Sequence, residues 1–176
     1  MSDFVVSEWC DYGVGRVEVV SARDPISLQA SAARKARLRE DLATVVAAGT
    51  TGVFTGDVEV TIEWFVSQQV RYGMHMVADL DNIVKPLLDA VTGPDGVMID
   101  DNQVQSLRVS WLDPGHPRVR FRLTFEALSP DEYRPRRKLF FVEFSSGRCF
   151  PFLVGESHQA VGLIVHAMYY SCYFTL

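Results

Sequence analysis

Apolar and polar residues alternate most regularly across residues 57–66. Val58, Val60, Ile62 and Trp64 fall on one side, and Glu59, Thr61 and Glu63 on the other. A period of two predicts a strand with one face in the core. Val17-Glu18-Val19 repeats the pattern and predicts a shorter strand over residues 15–20. Between the two, the period changes. Leu38, Leu42, Val45 and Val46 form a helical stripe that Gly49 stops. Asp24-Pro25 supplies a capping residue and a first-turn proline, so the predicted helix runs from there to about residue 48.

After a loop through Tyr72-Gly73, a second helix is expected over residues 82–91, closed by the turn Gly93-Pro94-Asp95-Gly96. Val97-Met98-Ile99 reads as a short buried strand. Residues 104–112 and 119–125, joined by Asp113-Pro114-Gly115, read as the arms of a hairpin. At least two helices with about five strands predict a mixed α/β (α+β) domain, a small mixed sheet packed by helices.

Ser129-Pro130-Asp131 marks a composition change, so the domain is assigned residues 1–128 and an extension of unknown role residues 129–176. The extension opens with Arg134, Arg136, Arg137 and Lys138. It continues with a second expected hairpin, residues 139–144 and 149–154 around Ser145-Ser146-Gly147. The apolar tail, residues 160–176, is shorter than the roughly 20 apolar residues of a membrane helix and contains His166 and Ser171. A buried helix or strand is expected there, and no membrane association.

Composition is that of an ordinary globular protein, with 48% hydrophobic and 22% charged residues among 176. Cys10, Cys149 and Cys172 lie far apart without a C-x-x-C pair, which excludes a zinc knuckle and points to reduced thiols. The N-terminus lacks the basic-then-apolar order of a signal peptide, so a cytoplasmic location is expected. The four histidines show no ligand spacing. No P-loop, G-x-S-x-G or G-x-G-x-x-G is present.

The net charge is −5, and its placement changes the picture. The segment from Asp79 to Asp101 holds six aspartates (79, 81, 89, 95, 100 and 101) against Lys85 alone, so the whole excess sits there. In an extended segment Asp79 and Asp81 face the same way. Lys85 lies one helical turn past Asp81, and Asp100-Asp101 follow the short apolar strand. Clustered carboxylates repel unless a cation joins them. Carboxylate oxygens suit Mg²⁺ or Mn²⁺, and such ions with a lysine serve phosphodiester hydrolysis. A plainer assignment is open from spacing alone: Asp81 as an N-cap, Asp79 in a surface turn, Asp100-Asp101-Asn102 as a polar turn.

The run Asp79-Leu80-Asp81-Asn82-Ile83-Val84-Lys85-Pro86-Leu87-Leu88, with Gly93 and then Val97-Met98-Ile99-Asp100-Asp101-Asn102-Gln103-Val104, resembles the core motif of the RusA family of Holliday-junction resolvases. That motif reads D-x-D-N-x-x-K, a leucine-rich helix, a glycine-containing loop, and an apolar-D-D-x-Q-V element. The order of strand, long helix, strand, motif and closing strands also fits, over about residues 15–128. The resemblance implies a small homodimeric endonuclease, bacterial or phage-encoded. Such an enzyme binds four-way DNA junctions and cuts two opposed strands symmetrically, in recombination and repair. It places the metal-binding aspartates at Asp79, Asp81 and Asp101, for Mg²⁺ with Mn²⁺ as substitute. Asp100 falls at a supporting acidic position and Lys85 at the family lysine. Asn82 matches too, at the helix start.

Two features extend the expectation to DNA contacts. Arg118, Arg120 and Arg122 alternate with Val119, Phe121 and Leu123, so on a strand the arginines share one face. That face serves either phosphate binding or simple solvation. Arg71, in the loop before the motif, is a further candidate. Arg34, Lys35, Arg37 and Arg39 spread around the long helix and are expected mainly to be solvated.

Overall fold

A computed structural model describes residues 3–11, 14–73, 77–114, 118–143, 149–155 and 162. Five strands form the main sheet: β1 (Phe4–Asp11), β2 (Val14–Ser21), β4 (Val58–Phe65), β5 (Val104–Leu112) and β6 (Phe121–Ala127). Short β3 (Gly52–Phe54) pairs with β7 (Tyr133–Pro135), and β8 (Leu139–Glu143) with β9 (Cys149–Leu153). The helices are α1 (Ala32–Gly49), α2 (Gln68–Gly73) and α3 (Leu80–Val91). The fold is therefore mixed α+β, as expected.

The sheet order is β1-β2-β6-β4-β5, antiparallel except for the β4–β5 pair. In β4 the alternation translates directly into burial: Val58, Val60, Ile62 and Trp64 enter the core. Val17 and Val19 of β2, with Phe121, Leu123 and Phe125 of β6, line the same face. Against it pack Leu38, Leu42 and Val46 of α1 and Ile83, Leu87 and Val91 of α3. The opposite face is polar. There Arg16 bonds Glu126 at 2.9 Å, and Arg122 lies between Glu18 (3.4 Å) and Glu63 (3.0 Å).

Three sequence expectations are corrected. The long helix begins at Ala32 with Ser31 as its cap, not at Asp24. The Asp24 carboxylate instead takes two hydrogen bonds from Arg120, at 3.0 and 2.8 Å, and a longer one from Trp64 Nε1 at 3.4 Å. A charge-assisted pair outweighs a neutral cap. Second, β5 and β6 are not a hairpin. β4 lies between them, parallel to β5 and antiparallel to β6, because α3 carries the chain back before β5 starts. Third, Val97-Met98-Ile99 is buried but makes only isolated bridges, from Met98 to Phe54 and to Thr92.

The N-terminal strand β1 had no apolar alternation to announce it. Its Glu8 turns inward, accepting from Thr51 N at 2.7 Å and from the Tyr133 hydroxyl at 2.8 Å. Beyond position 128 the chain stays on the domain. Tyr133 is buried against Phe54 and above Gly15, where a Cβ would lie 2.2 Å from the tyrosine ring. Arg136 donates to the carbonyls of Pro94 and Gly96. The hairpin expected in the extension is present as β8–β9, with Phe140 stacked on Phe152. Its turn, the four histidines, Cys172 and the apolar tail apart from Gly162 lie outside the described residues. Among the described residues no helix is long and apolar enough to cross a membrane.

Candidate active site

The site is built on α3. Asp79 caps the helix with extended backbone, and its carboxylate makes no capping hydrogen bond. Asp81 sits in the first turn, where the partial positive charge of the helix end favours a carboxylate. Ile83, Leu87, Ala90 and Val91 point into the core. The residues at intervals of four on the other side, Asp81, Lys85 and Asp89, therefore form one outward row.

Pro86 has a specific consequence within this helix. It has no N–H to give the Asn82 carbonyl, its usual acceptor four residues back. Leu28 N takes that carbonyl instead, at 2.6 Å. The segment before α1 is thereby tied to the first turn of α3.

The turn after α3 returns the chain beneath the helix. Gly96 packs so closely that a Cβ there would lie 2.2 Å from the Val91 carbonyl oxygen. Val97 N bonds Val91 O at 2.7 Å, and Phe54 N bonds Val97 O at 2.9 Å. Asp100 then caps a single 3-10 turn, Asp101–Gln103, accepting from Asn102 N at 2.9 Å. Gln103 closes this turn. Its Oε1 accepts from Ile99 N and Asp100 N, and its Nε2 donates to the carbonyls of Phe54 and Gly56.

The adjacent aspartates thus differ. Asp100 is spent on the turn, whereas Asp101 meets Lys85 Nζ at 2.5 Å. Lys85 also holds Asp89 at 2.7 Å. Hydrogen bonds to Asp101 and then Asp89 push the Lys85 ammonium up to about 12. The Lys85 hydrogen bond in turn holds the Asp101 carboxyl below its usual value of 3.8. Bound to both carboxylates, the Lys85 ammonium positions and neutralises them in this arrangement.

The structure joins Lys85 to Asp101, and places Asp81 in the first turn of the same helix with Asp79 at its N-cap. Among the described residues no three acidic, histidine or cysteine side chains are arranged as a closed ion site. The donor chemistry nevertheless fits a hard divalent cation. Asp79, Asp81 and Asp101 offer carboxylate oxygens at least partly open to solvent. Two supporting residues escaped sequence reasoning. Asp89 as a Lys85 partner was signalled by its i+4 spacing, and Gln103 as a clasp by nothing beyond its place in the motif.

The basic candidates are already engaged. Arg120 pairs with Asp24, whose hydrogen bonds raise its pKa. Arg122 lies between two glutamates on the sheet's polar face. Arg71 stacks over Trp111 at 5.2 Å and Tyr72 at 5.9 Å. Arg118 is exposed beside the start of β6.

Comparison with known proteins adds a family. The family model described as Endodeoxyribonuclease RusA matches residues 19–124, which span β2 to β6 and contain the whole site. A search of curated proteins found no match.

Proposed function

Since the chain belongs to the RusA family of endodeoxyribonucleases, we propose that it resolves Holliday junctions by paired, symmetric incision of two opposed strands. On this reading it acts in recombination and repair, as a cytoplasmic homodimer from a bacterium or phage. Asp79, Asp81 and Asp101 hold Mg²⁺, with Mn²⁺ able to replace it. The bound metal supplies charge neutralisation at the phosphate and activation of water. Lys85 orients Asp101 and keeps a positive charge beside the phosphate. Asp100 and Gln103 hold the turn that presents Asp101. Arg118 and Arg71 contact phosphates flanking the cut, while Arg120 and Arg122 do so only by sharing their carboxylate partners.

The observation that carries this reading is the Lys85–Asp101 contact. It joins Asp101, just before β5, to the outward row of α3 that also carries Asp81. The test is nicking of a synthetic four-way junction with Mg²⁺ or Mn²⁺, beside linear duplex and single-stranded controls. Selective cutting at two symmetric positions is expected, and its loss in Asp79→Asn, Asp81→Asn and Asp101→Asn. Equal cutting of linear DNA would replace junction resolution with general phosphodiesterase activity. Tight junction binding without cutting would make the chain a junction-binding relative.

A further inference from the structure

The RusA match ends at residue 124, yet the chain beyond it is bonded to the part of the molecule that presents Asp101. Two routes make that connection. In the first, β7 pairs with β3, Tyr133 opposite Phe54 and Pro135 opposite Gly52. Phe54 bonds the segment that leads into the site through both of its backbone groups. Its N–H donates to Val97 O at 2.9 Å. Its carbonyl accepts at 3.0 Å from Gln103 Nε2, the side chain that closes the Asp101 turn. The second route is Arg136. Its Nη1 donates to Pro94 O at 3.1 Å, and its Nη2 to Gly96 O at 2.6 Å and to Thr50 Oγ1 at 3.0 Å. Its backbone N–H donates to Thr51 O at 3.0 Å. One guanidinium therefore joins the C-terminal end of α1 to the turn after α3. The last turn of α1 has no basic residue of its own, so Arg136 also brings the positive charge that a helix C-terminus favours.

That turn is where such a hold matters. It links the helix carrying Lys85 to the segment carrying Asp101. It includes Gly93, in the left-handed region at φ 109°, and Gly96, and glycine leaves a backbone free to move. Nor is arginine the obvious side chain to fill this space. Burial opposes the charge of Arg136 and lowers its pKa, and the acceptors it does have are carbonyls and a hydroxyl. An apolar side chain would pack there with less desolvation. It would lack the rigid planar fork that fixes two carbonyls at once.

We propose that Arg136 is a positioning residue of the nuclease site, holding the turn after α3 so that Asp101 meets the divalent cation in its binding geometry. The proposal rests on the metal-dependent nuclease reading above. Arg136 acts through the backbone of residues 93–96, and the β7–β3 pairing supports the same segment from Phe54. The extension, as far as Arg136, is then a working part of the site and not an appendage to it. Residues that hold a metal ligand from behind commonly change metal affinity or activity by about 10- to 100-fold when lost.

The test uses the full-length protein and Mg²⁺ alone. The quantity read is the Mg²⁺ concentration at which the melting temperature starts to rise, which reports the affinity of the folded protein rather than its stability. Arg136→Ala should raise that concentration about tenfold. Arg136→Lys should raise it nearly as far, since one ammonium cannot reproduce the fork. Leu42→Val, a core truncation in α1, should lower the melting temperature without moving that concentration. With a four-way junction added, both Arg136 variants should need correspondingly more Mg²⁺ for half-maximal cutting, while metal-free junction binding stays at the wild-type level. Circular dichroism checks each fold, and Arg136→Lys decides the matter if Arg136→Ala does not fold. A wild-type Mg²⁺ response in a folded Arg136 variant would overturn the positioning role and leave the nuclease reading intact. An equal shift in Leu42→Val would overturn it too, because lost stability alone would then account for the effect. A wild type that neither responds to Mg²⁺ nor cuts branched DNA would overturn the nuclease reading, and the role of Arg136 with it.

Discussion

Asp100 and Asp101 are neighbours in sequence with different duties, and substitution should separate them. Asp100 caps the 3-10 turn, so Asp100→Ala should cost about 1 kcal/mol in urea denaturation, the usual worth of a capping carboxylate. Asp101→Asn should abolish cleavage with the fold intact. If instead Asp100→Asn abolishes cleavage and Asp101→Asn does not, the assignment within the pair is wrong. Glu8 gives a pH signature. Burial opposes its charge, but hydrogen bonds from Thr51 and Tyr133 prevail and hold its carboxyl below 4.5. A lowered folded value means this stabilisation is present above about pH 4.5 and is lost as pH falls through the folded value. Glu8→Gln should therefore flatten the acid limb of the stability curve, measured as urea midpoint against pH. Glu8 was not legible in the sequence, because a polar residue turned inward breaks the very alternation that reveals a strand; the partners of Gln103, the Phe54 and Gly56 carbonyls, lie nearly fifty residues away and leave no local pattern. Asp24 was misread for a related reason. Its local signal for a helix start was sound, and a distant arginine, Arg120, outbid it.

At the scale of elements, what the sequence revealed was local. The alternation of β4, the stripe of α1 and the helix of the motif all follow from residues a few positions apart. Strand partners do not, and the supposed β5–β6 hairpin failed because β4, some forty residues earlier, competes for both edges. The turn after α3 was foreseen from Gly93-Pro94-Asp95-Gly96, but not how tightly it closes. Gly96→Ala would press a methyl group onto the Val91 carbonyl, backbone against backbone. A loss of at least about 3 kcal/mol is expected in thermal or urea denaturation, as for other substitutions that force backbone strain. Because that turn delivers Asp101 to Lys85, any Gly96→Ala protein that folds should also cleave poorly. A stable and fully active variant would show that the turn does not set the position of Asp101.

For the molecule as a whole, the segment with all the excess negative charge should respond to cations. Mg²⁺ at about one hundred times its dissociation constant should stabilise the native state by about 2.7 kcal/mol through mass action, raising the melting temperature by several degrees. Asp81→Asn should blunt that rise, and equal shifts in both proteins would remove the metal from this site. Paired incision also requires two sites related by a two-fold axis, so sedimentation at micromolar concentration should show a dimer. A strict monomer, with or without junction DNA, would be incompatible with symmetric cutting.

The placement of β6 bears on how the chain reaches this structure at all. β6 fills the slot between β2 and β4, although it is the last of the five strands to leave the ribosome. Until residue 121 has emerged, β2 and β4 each present an unsatisfied inner edge rich in valine and isoleucine, the kind of surface that recruits other chains. Closure must wait for a strand about a hundred residues downstream of β2, which makes for slow folding. Release of chains truncated before β6 should therefore yield aggregates rather than a smaller folded domain. A cell making this protein quickly would depend on holdase chaperones during the seconds before the slot is filled.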